Sequence, residues 1–143
     1  MQIEDSILIE SSAEVVWHVT YDVERWPEWT PTVETVKKRT ESSLRVGDQC
    51  LLKQPGLPEA TWTITEIVEG ERFAWESRIQ GIKFSAVHEI ETRDEQTRNR
   101  LILNAEGIVA TLFWPILKPQ LRNSLRQENA GLKQRCEETS TGE

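Results

Sequence analysis

Residues 11–31 decide the fold of this chain, and they read SSAEVVWHVTYDVERWPEWTP. The apolar residues just before this stretch have strand composition, and Ser11 and Glu14 have the spacing of a capping box at the start of a helix. Three of the six tryptophans of the chain lie between Trp17 and Trp29. We therefore expect a strand, a helix and a second short helix, with aromatic residues that line either a core or an apolar cavity.

The composition indicates one globular domain. The 143 residues are 37% hydrophobic and 29% charged, which suits a single domain over residues 1–138 with a short flexible tail at residues 139–143. The formal net charge is −7, which argues against a nucleic-acid partner because phosphate binding relies on clustered Lys and Arg. No apolar run reaches the roughly 18 residues that a membrane span requires.

Neither a targeting signal nor a metal site is indicated. The first residues lack the basic and apolar regions of a secretory signal, so we expect a cytoplasmic protein. Cys50 and Cys136 fit no metal or redox spacing and are expected to be thiols in a reducing compartment. Glu14, His18 and Asp22 share one face of the first helix, but no second ligand cluster accompanies them, so an exposed polar face is favoured over a metal site. We expect no cofactor.

The middle of the chain has the pattern of an antiparallel meander. Runs rich in β-branched and aromatic residues are separated by short polar turns. Gln80 and Gly81 occupy a two-residue turn in which a hairpin needs positive φ. A longer polar loop is expected at residues 93–99. The six predicted strands lie at residues 33–38, 48–53, 61–68, 72–79, 82–92 and 100–106.

The end of the chain has helical periodicity. From residue 115 to residue 138 the apolar residues recur at intervals close to four, which predicts one long amphipathic helix with a narrow apolar stripe. Pro115 and Pro119 suit its first turns, where a missing N–H is tolerated. Gly131 is a weak point in its middle, costing about 1 kcal/mol against alanine. The stripe consists of Leu117, Leu121, Leu125, Leu132 and Cys136.

Several segments together resemble a known superfamily. They are residues 7–17 with Asp22, Trp26 and Trp29, residues 87–91 in a late strand, Gly107 at the end of the last strand, and residues 117–133. The chain resembles the START-like, helix-grip (SRPBCC) superfamily, and within it the polyketide cyclase/dehydrase and lipid-transport-like proteins. The resemblance implies an α+β helix-grip fold. In that fold, a curved antiparallel sheet of about seven strands wraps on a long C-terminal helix, and two short helices follow strand 1.

Such a fold leaves an apolar cavity between sheet and helix, and strand alternation predicts what faces it. In residues 82–92 one face carries Ile82, Phe84, Ala86, His88 and Ile90. His88 is the only polar member of this set, so we expect it to point into the cavity or its rim. Three interpretations stay open: a buried histidine bonded to a neighbour or a water, a ligand contact, or a general base.

The other candidate residues are mostly aromatic, and each is either a core residue or part of a pocket wall. Trp26 and Trp29 belong to the second short helix, and Trp114 lies at the junction into the long helix. Arg78 is expected to face outward as ordinary surface charge. The candidate ligand-binding residues are Trp26, Trp29, Trp62, Ile64, Trp75, Ser77, Phe84, Ala86, His88 and Trp114.

The fold class alone does not choose among functions. The favoured hypothesis is a binding protein for a small hydrophobic molecule, lipid-like or aromatic, held between sheet and helix. The alternative is a cyclase/dehydratase-type enzyme that uses His88 as acid or base, and this would need a second inward polar group. A protein-interaction or chaperone co-factor role is a third hypothesis. The oligomeric state is undetermined, and a homodimer is one option.

Overall fold

Seven strands form one antiparallel sheet in the computed structural model, which describes the backbone of residues 1–141 and the side chains of residues 1–139. The neighbour order is β1-β7-β6-β5-β4-β3-β2, so the sheet is a meander whose last strand pairs with its first. This confirms the predicted architecture. The strands are β1 Gln2–Ile9, β2 Thr35–Lys38, β3 Gln49–Lys53, β4 Ala60–Val68, β5 Arg72–Ile79, β6 Ile82–Arg93 and β7 Gln96–Glu106.

Two short helices follow β1, as predicted. They are α1, Ala13–Tyr21, and a 3₁₀ helix, Val23–Glu28. The helix cap differs by one residue from the expectation, because the hydroxyl of Ser12, not of Ser11, accepts the Val15 N–H at 3.2 Å. The backbone carbonyl of Ser11 instead accepts a hydrogen bond of 2.7 Å from the buried hydroxyl of Thr97 on β7.

Two turns of the meander show how its register is set. Gln80 and Gly81 both have positive φ, 51° and 83°, which confirms the predicted two-residue hairpin. The loop predicted at residues 93–99 is wrong in length, because only Asp94 and Glu95 form the turn. Asp94 takes a φ of 54°, which aspartate tolerates better than most residues. The first residues of β7 were not predicted to form a strand because their side chains are mostly polar.

The long helix α2 runs from Ile108 to Thr141. It begins seven residues earlier than predicted, because residues 108–114 are rich in β-branched and aromatic residues and resemble a strand in composition. It continues past the predicted domain boundary at residue 138, and the last part of the predicted tail, residues 142–143, lies outside the described residues. Among helices of the described chain, none combines the length and apolar character needed to cross a membrane.

A buried polar network fixes the rotation of α2 about its own axis. The amide of Asn129, fully buried, donates to the carboxylate and the backbone carbonyl of Asp5 on β1, at 2.8 and 3.1 Å. Its oxygen accepts a hydrogen bond of 2.7 Å from Asn99 on β7. Buried amides are costly unless bonded, so this setting of the helix is strongly preferred over one rotated by a residue.

Gly131 allows a close approach that the sequence alone does not reveal. A Cβ at this position would lie 1.9 Å from the carbonyl oxygen of Trp29 and 3.0 Å from its carbonyl carbon. The end of the 3₁₀ helix therefore packs directly on the backbone of α2. The glycine costs helix propensity, but it lets the two elements meet without a gap.

We expect Gly131→Ala to lower the free energy of unfolding by about 1–3 kcal/mol or more, because the methyl group collides with backbone rather than with a movable side chain. Urea denaturation measures the change. Asn123→Ala, at an exposed position of the same helix, is the control and should be neutral or slightly stabilising. Stabilisation by Gly131→Ala of about 1 kcal/mol, as for an unconstrained helical glycine, would contradict the contact.

Candidate functional site

A cavity of about 250 Å³ lies between the inner face of the sheet and α2. This volume is slightly below the usual range of drug-sized pockets. Its exposed lining residues, Pro31, Pro55 and Gln127, mark the opening to solvent. Strands β3 to β7 supply most of the apolar wall, and residues 121–128 of α2 cover it.

Six of the ten candidate residues line this cavity. Alternation along each strand brings them to the same face, as the sequence pattern predicted. In register, Trp75 of β5 lies opposite Ala86 of β6, and Trp62 packs on Trp75 with ring centroids 5.6 Å apart. The six are Trp26, Trp62, Trp75, Phe84, Ala86 and His88.

The other four candidates lie outside the cavity wall. Ile64 is 1% exposed and belongs to the hydrophobic core. Ser77 donates its hydroxyl to the carbonyl of Thr61 at 2.7 Å, so its polar group is already bonded. Trp29 packs against Trp26 and over Gly131. Trp114 is half-buried within α2 and packs on the edge of the core.

His88 is held in place by aromatic rings rather than by hydrogen bonds. Its imidazole stacks on Phe73, with ring centroids 4.3 Å apart and planes only 7° from parallel. The rings of Trp26 and Trp75 contact the imidazole from other sides, with ring-centroid distances of 5.3 and 6.0 Å. The residue is 5% exposed, and its Nδ1 atom has no hydrogen-bond partner among the described residues. Packing therefore fixes the orientation of the ring, while its Nδ1 atom remains able to form a hydrogen bond.

Glu128 is the inward polar group that sequence reasoning missed. Its Oε1 atom lies 3.7 Å from Nε2 of His88, and its side chain is only 14% exposed. It projects from α2 into the cavity beside Leu121, Ser124 and Leu125. The distance is within ion-pair range but longer than a hydrogen bond, so a small shift or a ligand atom can join the two groups.

A signal for Glu128 was present in the sequence. The apolar stripe of α2 continues from Leu125 to Leu132 with no apolar residue at the positions one turn after Leu125. Those positions hold Glu128 and Asn129, both of which face inward and are wholly or largely buried. Helical spacing therefore places both polar residues on the same side of α2 as the apolar stripe. The missing apolar residues at these two positions indicate inward polar groups.

A third polar atom belongs to the same wall. The indole Nε1 of Trp62 is buried without a hydrogen-bond partner among the described residues, and Trp62 is one of the lining residues. Indole N–H groups usually find a partner when buried. The cavity thus combines an apolar wall with an imidazole, a carboxylate and an indole N–H that are able to bind a polar group of a ligand.

The cysteines take no part in this site. Burial raises the pKa of the Cys50 thiol to about 11 and that of the Cys136 thiol to about 12, so both stay protonated at neutral pH and are poor nucleophiles. Among the described residues, no group of three His, Cys, Asp or Glu could hold a metal ion.

The outer face of the sheet is an ordinary charged surface. Arg100 pairs with Glu4 and Glu89 at 2.6 and 3.3 Å, and Arg72 pairs with Glu66 at 2.7 Å. Hydrogen bonding to Arg72 lowers the pKa of the Glu66 carboxyl. Cross-strand pairs of this kind suit a solvated face.

Comparison with solved structures supports the fold. A START superfamily protein from Mycobacterium smegmatis has a TM-score of 0.77 and 16% identity, over 96% of this chain and 98% of that chain. The Zhui aromatase/cyclase from a Streptomyces species has a TM-score of 0.76 and 17% identity, over 96% and 94%. A hypothetical protein from Helicobacter pylori has a TM-score of 0.84 and 11% identity, over 95% and 88%.

At these identities the structural likeness shows the fold alone. No protein with a curated description matches the sequence. Residues 1–137, however, match the family described as polyketide cyclase / dehydrase and lipid transport. With its seven-stranded sheet gripping a long C-terminal helix over a ligand-sized cavity, the chain belongs to this polyketide cyclase / dehydrase and lipid transport family.

Proposed function

We propose that this protein binds a small hydrophobic molecule, of the size of two fused rings and bearing a hydroxyl or carbonyl group, in the cavity between the sheet and α2. The observation that carries the proposal is an apolar cavity of about 250 Å³ whose wall holds the imidazole of His88, with no hydrogen-bond partner for Nδ1 among the described residues, and the carboxylate of Glu128. Apolar walls provide affinity, and a few polar groups fix orientation. A two-chain lipid would not fit this volume.

The charges of the site narrow the ligand class further. Glu128 places a carboxylate in the wall, and the whole chain carries a net charge of −7. A carboxylate or phosphate on the ligand would be repelled there. A neutral ligand whose hydroxyl donates to Glu128 or to the imidazole suits the site better.

A second candidate function is supported by one specific observation. The cyclase/dehydratase hypothesis needed a second inward polar group, and Glu128 is such a group, 3.7 Å from His88. An imidazole beside a carboxylate can remove a proton next to a ketone, and the carboxylate stabilises the imidazolium that forms. Loss of hydroxide from the β-carbon, protonated as it leaves, would complete a dehydration. The protein-interaction hypothesis has no comparable support, since the outer sheet face is covered by ion pairs.

The cavity is tested by filling it. Ala86→Leu should leave the free energy of unfolding unchanged or raise it by up to about 1 kcal/mol, because the added methylenes enter empty space. Ala105→Leu is the control: Ala105 lies on neighbouring β7, is fully buried and does not line the cavity. It should destabilise by about 1–3 kcal/mol through overpacking. Equal destabilisation by both variants would show that no usable space exists at Ala86.

The polar anchor is tested with a matched pair of ligands. We expect 2-naphthol to bind about 2- to 10-fold more tightly than 2-methylnaphthalene in isothermal titration calorimetry, the gain of about one hydrogen bond. His88→Leu and Glu128→Gln should reduce this preference while 2-methylnaphthalene retains its affinity.

Ser77→Ala serves as the control variant, because Ser77 is a buried polar residue outside the wall; it should retain the preference. Ala86→Leu should weaken binding of both compounds. If neither compound binds the wild-type protein, the proposed class of ligand is wrong. If both bind equally, the cavity is used but the polar anchor is not.

The enzyme hypothesis is tested with 3-hydroxy-1-tetralone, which loses one water to give 1-naphthol, followed by its ultraviolet absorbance. If the His88–Glu128 pair is catalytic, His88→Gln should lower the rate by roughly 100-fold or more, and Ser77→Ala should not. Turnover no faster than in buffer, with 2-naphthol binding intact, would reject the enzyme hypothesis and leave the binding function.

A further inference from the structure

The first half of α2 exposes large apolar side chains. Ile108 is 80% exposed, Leu112 70%, Phe113 51% and Ile116 61%. Spacings of four and eight residues place Ile108, Leu112 and Ile116 on one side of the helix, with Phe113 beside them. The opposite side of the same turns packs on the core through Ala110 and other apolar residues. Soluble domains seldom leave four such residues in contiguous exposure without a use.

The same segment has a charge pattern opposite to that of the whole chain. Between residues 107 and 127 there is no Asp or Glu, although the complete chain has a net charge of −7. Lys118, Arg122 and Arg126 follow the apolar residues in the chain and are spaced four residues apart. Within the part of the chain that the structure describes, no carboxylate pairs with them. Ile108 and Arg126 are five helical turns apart and therefore lie on the same side of α2, with Arg122 about 40° from them around the helix. Lys118 is seven residues from Leu125 and therefore shares the side of that cavity residue instead.

We propose that this surface, the basic apolar ridge, docks the protein on an anionic lipid bilayer. The ridge consists of Ile108, Leu112, Phe113, Ile116, Arg122 and Arg126. Apolar side chains flanked by Lys and Arg on one side of a helix are the features that bind helices to the membrane interface. Each cation near an anionic surface strengthens binding by about fivefold.

The charges distinguish a bilayer from a second copy of the chain. A symmetric dimer through the ridge would bring Arg122 and Arg126 close to the same two cations of its partner, and the segment offers no carboxylate to neutralise them. An anionic bilayer supplies both the negative charge and the apolar medium that the ridge lacks. The shape agrees, because the exposed side chains stand on a convex helix rather than in a groove that would receive a partner.

The ridge and the cavity share α2 but use different sides of it. Leu121, Leu125 and Glu128 turn inward to line the cavity, while the ridge residues turn outward. The docking proposal therefore needs no cavity ligand, and variants on the ridge should leave binding of 2-naphthol unchanged. Failure of one proposal does not entail failure of the other.

The test is co-sedimentation with vesicles of phosphatidylcholine alone or of phosphatidylcholine mixed with phosphatidylglycerol. We expect binding to the mixed vesicles, and we expect it to fall steeply as salt rises from about 0.01 M to about 1 M, as the Debye length shortens from about 30 Å to about 3 Å. The triple variant Ile108→Ser, Leu112→Ser, Ile116→Ser should lose roughly tenfold or more in partition coefficient. The double variant Arg122→Gln, Arg126→Gln should lose roughly 25-fold.

Matched controls lie elsewhere on the surface. Val46→Ser removes an apolar side chain that is 62% exposed, and Arg39→Gln, Arg45→Gln removes two exposed cations; neither should change vesicle binding. Absence of binding to mixed vesicles at low salt would overturn the proposal, as would equal binding by the ridge variants. A wild-type dimer that the serine variant converts to monomer, without vesicle binding, would assign the ridge to a second copy instead.

Discussion

The buried hydrogen bonds of Asn129 are the constraint on which the rest of the structure depends. They join α2 to β1 through Asp5 and to β7 through Asn99, at the two strands where the meander closes on itself. A rotation of α2 by one residue would turn Asn129 by about 100° and break all of them. Because the amide is wholly buried, no water replaces the lost bonds, and the helix has one favoured setting on the sheet.

That setting produces both the cavity and the exposed ridge. The second half of α2 is held closely, by Asn129 and by the contact of Gly131 with the Trp29 carbonyl, and here Leu132 and Cys136 are fully buried. Its first half is far less buried, since Ala110 is the only buried residue between positions 108 and 124. Between the close contact and the curved sheet a volume of about 250 Å³ stays unfilled. The close packing of the second half of α2 and the loose packing of its first half therefore explain both the cavity and the exposed ridge.

The chemistry of the cavity follows from how its polar groups are supported. His88 packs between Phe73 and Trp26, so packing sets the orientation of its ring. Its Nδ1 atom makes no structural hydrogen bond with the described residues. Glu128 reaches it from the opposite layer of the fold. Two groups on separate elements, brought together only by the docking of α2, can respond to a ligand that enters between them. Ser77, in contrast, already bonds to backbone and has a structural role.

The sequence by itself determined the fold class, the order of the elements along the chain and the inward face of β6, including His88. These features depend on local rules: a two-residue side-chain period along each strand, and turn residues such as Gln80 and Gly81 that accept positive φ. The apolar stripe of α2 also indicated which side of the helix meets the sheet, but the tertiary structure alone decided where the helix starts and which strands its stripe contacts. Residues 108–114 resemble a strand in composition, and the polar pair Glu128–Asn129 interrupts the apolar stripe. Only long-range contacts, between Asn129 and Asp5 and between Gly131 and Trp29, resolve that ambiguity. They place Glu128 beside His88, 40 positions away in the chain, because the periodicity of a helix indicates its buried side but not which residues of the sheet that side meets.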